Sequence, residues 1–184
     1  MNSSPSSNPM RDQIYSLPEL LHQQLWSLEE RTRKILTTPE IFGTRHIVLT
    51  GCGDSHISTM AAEMAFAELA SIHTQALNAM HASRYSASRS NWHYPRNPLV
   101  LAVSNSGEVA RVVEAVKHYS AYGALTVAVT GDPKSRLAAQ ADRTVEVSIP
   151  PFISAPGVRS YFCSLLTLYL LAIPAILLIN VLSS

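Results

Sequence analysis

The sequence predicts an α/β fold in which helices cover both faces of a doubly wound parallel β-sheet. Short β-branched apolar segments recur along the chain, and most are followed by a small-residue turn and then a longer helical segment. Strands that are apolar on both faces are typical of a parallel sheet buried between two layers of helices. Because crossovers between parallel strands are right-handed, the sheet is expected to be doubly wound.

The composition is that of one globular domain. The chain has 184 residues, of which 47% are hydrophobic, and its formal net charge is +1. This length is enough to bury a hydrophobic core without cross-links. Cys52 and Cys163 are too few for a disulfide framework and lack metal-ligand spacing. Nucleic-acid binding relies on clustered Lys and Arg, and the sequence has no such cluster.

The N-terminal region is predicted to contain a tail and a helical segment. Residues 1–10 are rich in Ser, Pro and Asn and lack the apolar core of a signal peptide, which favours a disordered tail. Residues 11–43 are predicted to be largely helical, because leucines recur there at helical spacing. Ser16 is the predicted cap of this helix, and Glu19 would complete a capping box.

Residues 44–184 are predicted to form the sheet domain as a single lobe. Each main predicted strand is apolar and β-branched, and the predicted helices follow turns of small residues. The expected strands span residues 47–50, 74–78, 99–103, 125–129 and 144–147, and the expected helices span about 57–70, 108–122 and 134–141.

The C-terminal segment is uncharged, with no Asp, Glu, Lys or Arg between Ser160 and Ser184. Residues 162–182 are long and apolar enough for a membrane span. Pro174 interrupts the segment, and several polar residues dilute it. A helix buried in the core or in a dimer interface is therefore favoured over a membrane span.

Two loops of the predicted sheet have the chemistry of an anion site. The glycines of loop 51–55 let the backbone turn tightly, and Ser55 offers a hydroxyl beside the free N–H groups that open the next helix. Loop 104–107 supplies two serines, and Gly107 leaves space where a phosphate would lie. In a doubly wound sheet, ligands bind at loops of this kind. Ordinary turn and cap residues are the competing interpretation of each loop taken singly.

Nucleotide cofactors are not expected. A dinucleotide fingerprint that starts at Gly51 would need glycine at His56, and no acid follows about 20 residues later. The phosphate-binding loop of ATPases is also absent from the sequence. We therefore expect no cofactor and no metal.

The motifs Gly-Cys-Gly-Asp-Ser at 51–55 and Ser-Asn-Ser-Gly-Glu at 104–108 resemble those of the sugar isomerase (SIS) domain family. More narrowly, the chain is similar to the first lobe of the isomerase domain of glucosamine-fructose-6-phosphate aminotransferases, over about residues 11–175. The resemblance implies a flavodoxin-like, three-layer α/β/α sandwich with a five-stranded parallel sheet. It also implies binding of a phosphorylated sugar of the fructose-6-phosphate or glucosamine-6-phosphate type.

The loop chemistry and the resemblance together indicate two groups of site residues. The expected phosphate-binding residues are Ser55, Ser104, Asn105, Ser106 and Gly107. The candidate sugar-binding residues are Gly53, Asp54, His56, Glu108 and Val158. Helix capping is the competing interpretation for the acids and the histidine of this second group. The family has a fourth phosphate ligand, a Thr or Ser, at the position of Val109, so one hydroxyl is missing here.

Catalytic residues remain unassigned. Isomerisation needs a base, and usually a second group that opens the sugar ring. In two-lobed relatives these groups, a Glu and a His, belong to the second lobe. Single-lobed relatives use a Glu in the first sheet-domain helix and a His in the last; here the first position matches Ala65, although Glu63 and Glu68 are near it. The chain is thus expected to be one lobe of a sugar-phosphate isomerase or deglycase, or alternatively a non-catalytic regulatory domain that senses phosphosugars as a dimer. A cytoplasmic homodimer without nucleic-acid or membrane partners is expected.

Overall fold

A computed structural model describes residues 8–87 and 98–183, with side chains as far as residue 177. All strands in this part of the chain are parallel and form one sheet, which confirms the predicted fold class. The strands are β1 (His46–Gly51), β2 (His73–Asn78), β3 (Leu99–Val103), β4 (Leu125–Thr130) and β5 (Arg143–Glu146). Their order across the sheet is β2-β1-β3-β4-β5.

The helices form two layers, one on each face of the sheet. They are α1 (Pro9–Tyr15), α2 (Leu17–Ile35), α3 (Thr38–Gly43), α4 (Asp54–Met64), α5 (Ala79–His81), α6 (Ala110–Ala121), α7 (Arg136–Gln140) and α8 (Val158–Ser183), with π-helical turns at Ala65–Leu69 and Ala82–Ser86. On one face, α2, α4 and α8 pack on alternate strand residues such as Leu49 and Leu101. On the other face, α6 and α7 pack on Val100 and Ala128. This alternation is the period of two that a strand imposes.

The strand order places a topological switch point between β1 and β3. The chain moves from β1 outward to β2 and then crosses back to β3 on the other side of β1. The last residue of β1, Gly51, is in register with Val103, which ends β3. The loops that follow these two strands therefore leave the same edge of the sheet side by side. In sheets of this order, ligands bind at that point.

The N-terminal capping prediction is wrong. The first helix begins at Pro9, and Ser16 continues its helical backbone, with φ −81° and ψ −9°. The Ser16 hydroxyl donates to the Gln13 carbonyl at 2.7 Å, so it caps nothing. Glu19 accepts from the Gln23 amide at 2.8 Å instead. A residue with helical dihedral angles cannot act as an N-cap, because its side chain points away from the free N–H groups of the next turn.

Other predicted boundaries differ by a few residues. The helix after β1 starts at Asp54 rather than near residue 57, and that after β3 starts at Ala110 rather than 108. Of the predicted tail, residues 1–7 lie outside the described part, whereas Pro9 and Met10 belong to α1. The division into tail, helical segment and single lobe stays a prediction.

The uncharged C-terminal segment forms one helix that continues through Pro174. Residues 158–177 of this helix are long and apolar enough to cross a membrane, with a mean hydropathy of 1.9. Of this apolar stretch, 44% is buried inside the fold. The helix packs against α2 and α4. Leu168 and Leu171 on its inner face are core residues. Part of α8 is therefore a structural element of the α/β domain.

Candidate functional site

The loop after β1 turns sharply into α4. A Cβ on Gly51 would lie 2.7 Å from the Ser55 carbonyl carbon, so only glycine fits there. Gly53 has φ +57°, a conformation that favours glycine. Within the described residues, the N–H groups of Asp54 and Ser55 have no hydrogen-bond acceptor. These groups and the half-buried Ser55 hydroxyl form one side of the candidate site.

The loop after β3 is a tight turn in which only some of the N–H groups form hydrogen bonds. The Gly107 N–H donates to the Ser104 carbonyl at 3.0 Å and to the Ser104 hydroxyl at 3.2 Å. Ser104 is only 2% exposed, so its hydroxyl also supports the loop from inside. Ser106 is exposed, and its hydroxyl accepts from the Glu108 N–H at 3.3 Å. The N–H groups of Asn105 and Ser106 have no acceptor in the described part of the chain.

The loop after β4 fixes the position of the β3 loop. The Gly131 N–H donates to the Asn105 carbonyl at 2.9 Å, and the Leu137 N–H donates to the Gly107 carbonyl at 3.0 Å. Gly107 has φ +65°, and a Cβ there would overlap Ser135. Both hydrogen bonds engage carbonyl oxygens of the β3 loop. The N–H groups are therefore the polar backbone atoms left to face a ligand.

Glu108 is held by Arg136 rather than presented to the site. The Arg136 guanidinium donates to the Glu108 carboxylate at 2.6 Å and to the Glu108 carbonyl at 2.7 Å. The Arg136 N–H donates to the same carboxylate at 2.9 Å. The backbone and side-chain hydrogen bonds from Arg136 hold the pKa of Glu108 below its usual value. The observed role of Glu108 is therefore to link the start of α6 to α7, and its place among sugar-binding residues stays a prediction.

The remaining predicted sugar-binding residues lie around the same edge. The His56 ring faces the Thr59 hydroxyl at 3.3 Å, within one turn of α4. Asp54 is exposed and lies close to Gly157, because a Cβ on that glycine would be 3.6 Å from its carboxylate. Val158 is the first residue of α8. The N-termini of α4 and α8 thus lie next to each other, which brings two of the predicted residues together.

A cleft of about 600 Å³ opens beside the β3 loop. Asn105 lies on its border, whereas the predicted serines do not line it. Most of its wall comes from the connection between β5 and α8 and from two buried side chains, Gln13 and Arg159. Sequence reasoning missed both residues. The available signal was that Arg159 is the last charged residue of the chain and opens an otherwise uncharged helix.

Acid, base and metal-binding groups are sparse in the part of the chain that the structure describes. Glu63 lies in α4, beyond its first turn, and Glu68 lies in the π-helical turn that follows α4. No group of three His, Cys, Asp or Glu residues with metal-binding geometry occurs among the described residues. Cys52 is exposed and is a free cysteine. The arrangement of N–H groups and hydroxyls in the two loops therefore favours anion binding over proton transfer as the chemistry of this site.

A family model described as the SIS domain matches residues 40–175. The glutamine–fructose-6-phosphate aminotransferase (isomerizing) of Helicobacter pylori is 30% identical over 127 residues, which are 69% of this chain and 20% of that protein. The chain therefore spans about a fifth of the length of this relative.

Solved structures share the fold. The C-terminal domain of glucosamine-fructose-6-phosphate aminotransferase from Francisella tularensis superposes with a TM-score of 0.72 at 17% identity, covering 98% of this chain and 50% of that one. The Vibrio vulnificus NanR protein complexed with ManNAc-6P superposes with a TM-score of 0.70 at 18% identity, covering 97% of this chain and 66% of that one.

Proposed function

The chain belongs to the SIS domain family, and on this basis we propose that it binds a phosphorylated sugar between the loops after β1 and β3. The observation that carries the proposal is the set of four unpartnered N–H groups, from Asp54, Ser55, Asn105 and Ser106, at the switch point of the sheet. Backbone N–H groups at helix starts and tight turns bind phosphate because they carry partial positive charge. The hydroxyls of Ser55 and Ser106 add donors beside them.

The comparisons support a phosphosugar as the ligand class. One structural neighbour is complexed with ManNAc-6P, and one relative is named for its action on fructose-6-phosphate. For this chain, fructose-6-phosphate and glucosamine-6-phosphate are the proposed ligands. The phosphate would contact the four N–H groups, with Ser104 and Gly107 holding the loop in shape. The sugar would extend toward Gly53, His56 and Val158.

The proposed reaction is that of a sugar-phosphate isomerase or deglycase of which this chain forms one lobe. The acid and base would come from a second lobe, because the described part of this chain has no matched pair at the site. The chain covers 50% of the aminotransferase domain it superposes on, which supports this view. The alternative is a non-catalytic domain that senses phosphosugars. The NanR protein complexed with ManNAc-6P shares its fold with this chain, and binding of a phosphosugar is what both candidate functions require.

We further propose that the domain forms a cytoplasmic homodimer through an apolar face of α4 and α8. The exposed side chains of this face are Ile57, Met60, Met64, Tyr169, Ile173 and Leu177. A surface of this apolar character is typical of an interface. A second copy presents the same face and can cover it symmetrically.

Isothermal titration calorimetry with fructose-6-phosphate and glucosamine-6-phosphate tests the binding proposal. We expect binding by the unaltered chain, and a loss of at least about tenfold in affinity for Ser55→Ala or Ser106→Ala, since each removes a hydrogen bond to a charged group. Ser27→Ala, an exposed serine of α2, is the matched control and should bind normally. Absence of heat with either sugar phosphate at millimolar concentration would contradict the proposal.

A coupled assay of fructose-6-phosphate conversion by the full-length gene product separates the two candidate functions. Conversion that Ser106→Ala abolishes supports the isomerase assignment. Binding without conversion supports the sensing alternative. Light scattering after gel filtration tests the dimer: Met64→Lys should yield monomers, whereas Met10→Lys, on α1, should not. A monomeric unaltered chain would refute the dimer.

A further inference from the structure

The cleft beside the β3 loop contains a buried cation that has no acidic partner. Arg159 is 8% exposed, and no carboxylate among the described residues lies within 4.0 Å of its guanidinium. Its Nη atoms make long hydrogen bonds of 3.4 Å to the Ser16 hydroxyl and the Pro150 carbonyl. Its Nε is buried without any partner in the described part of the chain. The Phe152 ring lies 4.4 Å from the guanidinium carbon and provides its remaining support.

The same cleft contains a buried acceptor without a donor. Gln13 is 6% exposed, and its amide nitrogen donates to the Ile153 carbonyl at 2.9 Å. Its Oε1 has no hydrogen-bond partner among the described residues. A buried polar atom left unpaired is costly, and such atoms commonly mark a missing ligand or water. Gln13 and Arg159 both line the cleft, so one occupant can contact both side chains.

The position of Arg159 increases its affinity for anions. It lies in the first turn of α8, a 26-residue helix whose N-terminus carries partial positive charge. A cation is normally disfavoured there, because the helix dipole repels it. In the described residues, the N–H groups of Arg159 and Ser160 have no acceptor. Asp132 is the acidic residue that lines the cleft; its carboxylate accepts from the Lys134 N–H at 2.8 Å and lies more than 4.0 Å from the Arg159 guanidinium.

We propose that the cleft is a second anion subsite that takes the carboxylate of a phosphorylated sugar acid, with Arg159 as its cation. This inference rests on the proposed phosphosugar site. Asn105 belongs to the β3 loop and also borders the cleft, so a molecule whose phosphate lies on that loop can extend into the cleft. A volume of about 600 Å³ is in the usual range for small-molecule sites.

A planar carboxylate is the anion that we assign to this subsite. The guanidinium fork pairs with a planar carboxylate through two hydrogen bonds, and Nε is the free member of one such pair. A sugar acid also carries a hydroxyl next to its carboxylate, and that hydroxyl can donate to Gln13 Oε1. The proposed substrate class is therefore a phosphorylated aldonic acid, and a bisphosphate, whose second phosphate can also pair with a guanidinium, is the competing ligand in the test.

Calorimetry with 6-phosphogluconate, fructose-6-phosphate and fructose-1,6-bisphosphate tests the proposal. We expect 6-phosphogluconate to bind about 10- to 150-fold more tightly than fructose-6-phosphate, the factor that one hydrogen bond to a charged group contributes. Arg159→Met should remove this preference and leave fructose-6-phosphate binding unchanged. Arg159→Lys, which keeps the charge but loses the fork, should retain only part of it.

The melting temperature of Arg159→Met shows whether a change in its ligand binding is caused by a folding defect. Arg159→Met retains apolar volume and removes an unpaired buried charge, so we expect an equal or higher melting temperature. Equal affinity for 6-phosphogluconate and fructose-6-phosphate would overturn the subsite and leave the phosphosugar site standing. Tighter binding of the bisphosphate would overturn the carboxylate assignment. Failure of all three ligands to bind would instead refute the proposed function itself.

Discussion

A comparison of the single variants Gly107→Ala and Gly53→Ala separates backbone strain from steric overlap at the two loops. Both glycines have positive φ, +65° and +57°. An alanine at such a positive φ costs roughly 1–3 kcal/mol of backbone strain; at Gly53 the φ of +57° is combined with ψ −131°. At Gly53 no atom lies within 4 Å of the added Cβ, so this strain is the whole expected cost.

At Gly107 the added Cβ would overlap Ser135 and lie 2.8 Å from the Thr130 hydroxyl. Ser135 must then move, and it caps α7 by accepting from the Ala138 N–H at 3.4 Å. Loss of such a cap costs about 0.5–2 kcal/mol. The total for Gly107→Ala is therefore about 1.5–5 kcal/mol, which exceeds the expected cost of Gly53→Ala by the roughly 0.5–2 kcal/mol of the lost cap.

Thermal unfolding followed by circular dichroism measures this difference. A domain of this length loses roughly 2–4 °C per kcal/mol, so we expect a decrease of about 3–20 °C for Gly107→Ala and a decrease for Gly53→Ala that is smaller by about 1–8 °C. In the double variant Gly107→Ala/Ser135→Gly, the combined loss should be smaller than the sum of the two single losses. Equal destabilisation by the two alanine variants would refute the packing argument.

Three further variants test other contacts. Val109→Thr restores the hydroxyl that the family has at the start of α6, and it should raise fructose-6-phosphate affinity about tenfold in calorimetry; unchanged affinity would place Val109 away from the phosphate. The Arg143 guanidinium lowers the pKa of Glu40 to about 2, so the free energy of unfolding that this pair contributes above pH 4.5 should decrease toward pH 2 in urea titrations. Glu40→Gln should flatten that decrease, and an unchanged pH dependence in this variant would refute the assignment. Burial lowers the pKa of His46 to about 4, so the free energy of unfolding should also decrease from pH 6.5 toward pH 4. His46→Gln should remove that decrease; if the decrease persists in this variant, another group titrates in that pH range.

Much of the fold followed from the sequence because its main signals are local. Apolar β-branched segments marked the main strands, residues 74–78 were a weaker candidate that also forms a strand, and small-residue turns marked the two loops of the switch point. The three-residue helix Ala79–His81 carries no periodicity, so the sequence did not indicate it. Ser16 has the residue type of a helix cap, yet its backbone is helical because α1 precedes it directly.

The candidate site was predictable only where its residues lie next to one another in the chain. The two loops contain their own glycines and serines, so the motifs indicate them directly. Arg159 and Gln13 are 146 positions apart in the sequence and line one cleft only because the connection after β5 folds over α1 and α8. Their burial and their unpaired atoms result from that packing, and sequence patterns do not carry this information.

We propose above all that a sugar phosphate binds to the free N–H groups of the loops after β1 and β3. A titration of the ¹⁵N-labelled chain with glucosamine-6-phosphate, followed by amide chemical shifts, tests it most directly. We predict that the largest shifts occur at Asp54, Ser55, Asn105 and Ser106, since these amides would donate to the phosphate. Binding that leaves these four resonances unmoved and shifts amides elsewhere would contradict the claim.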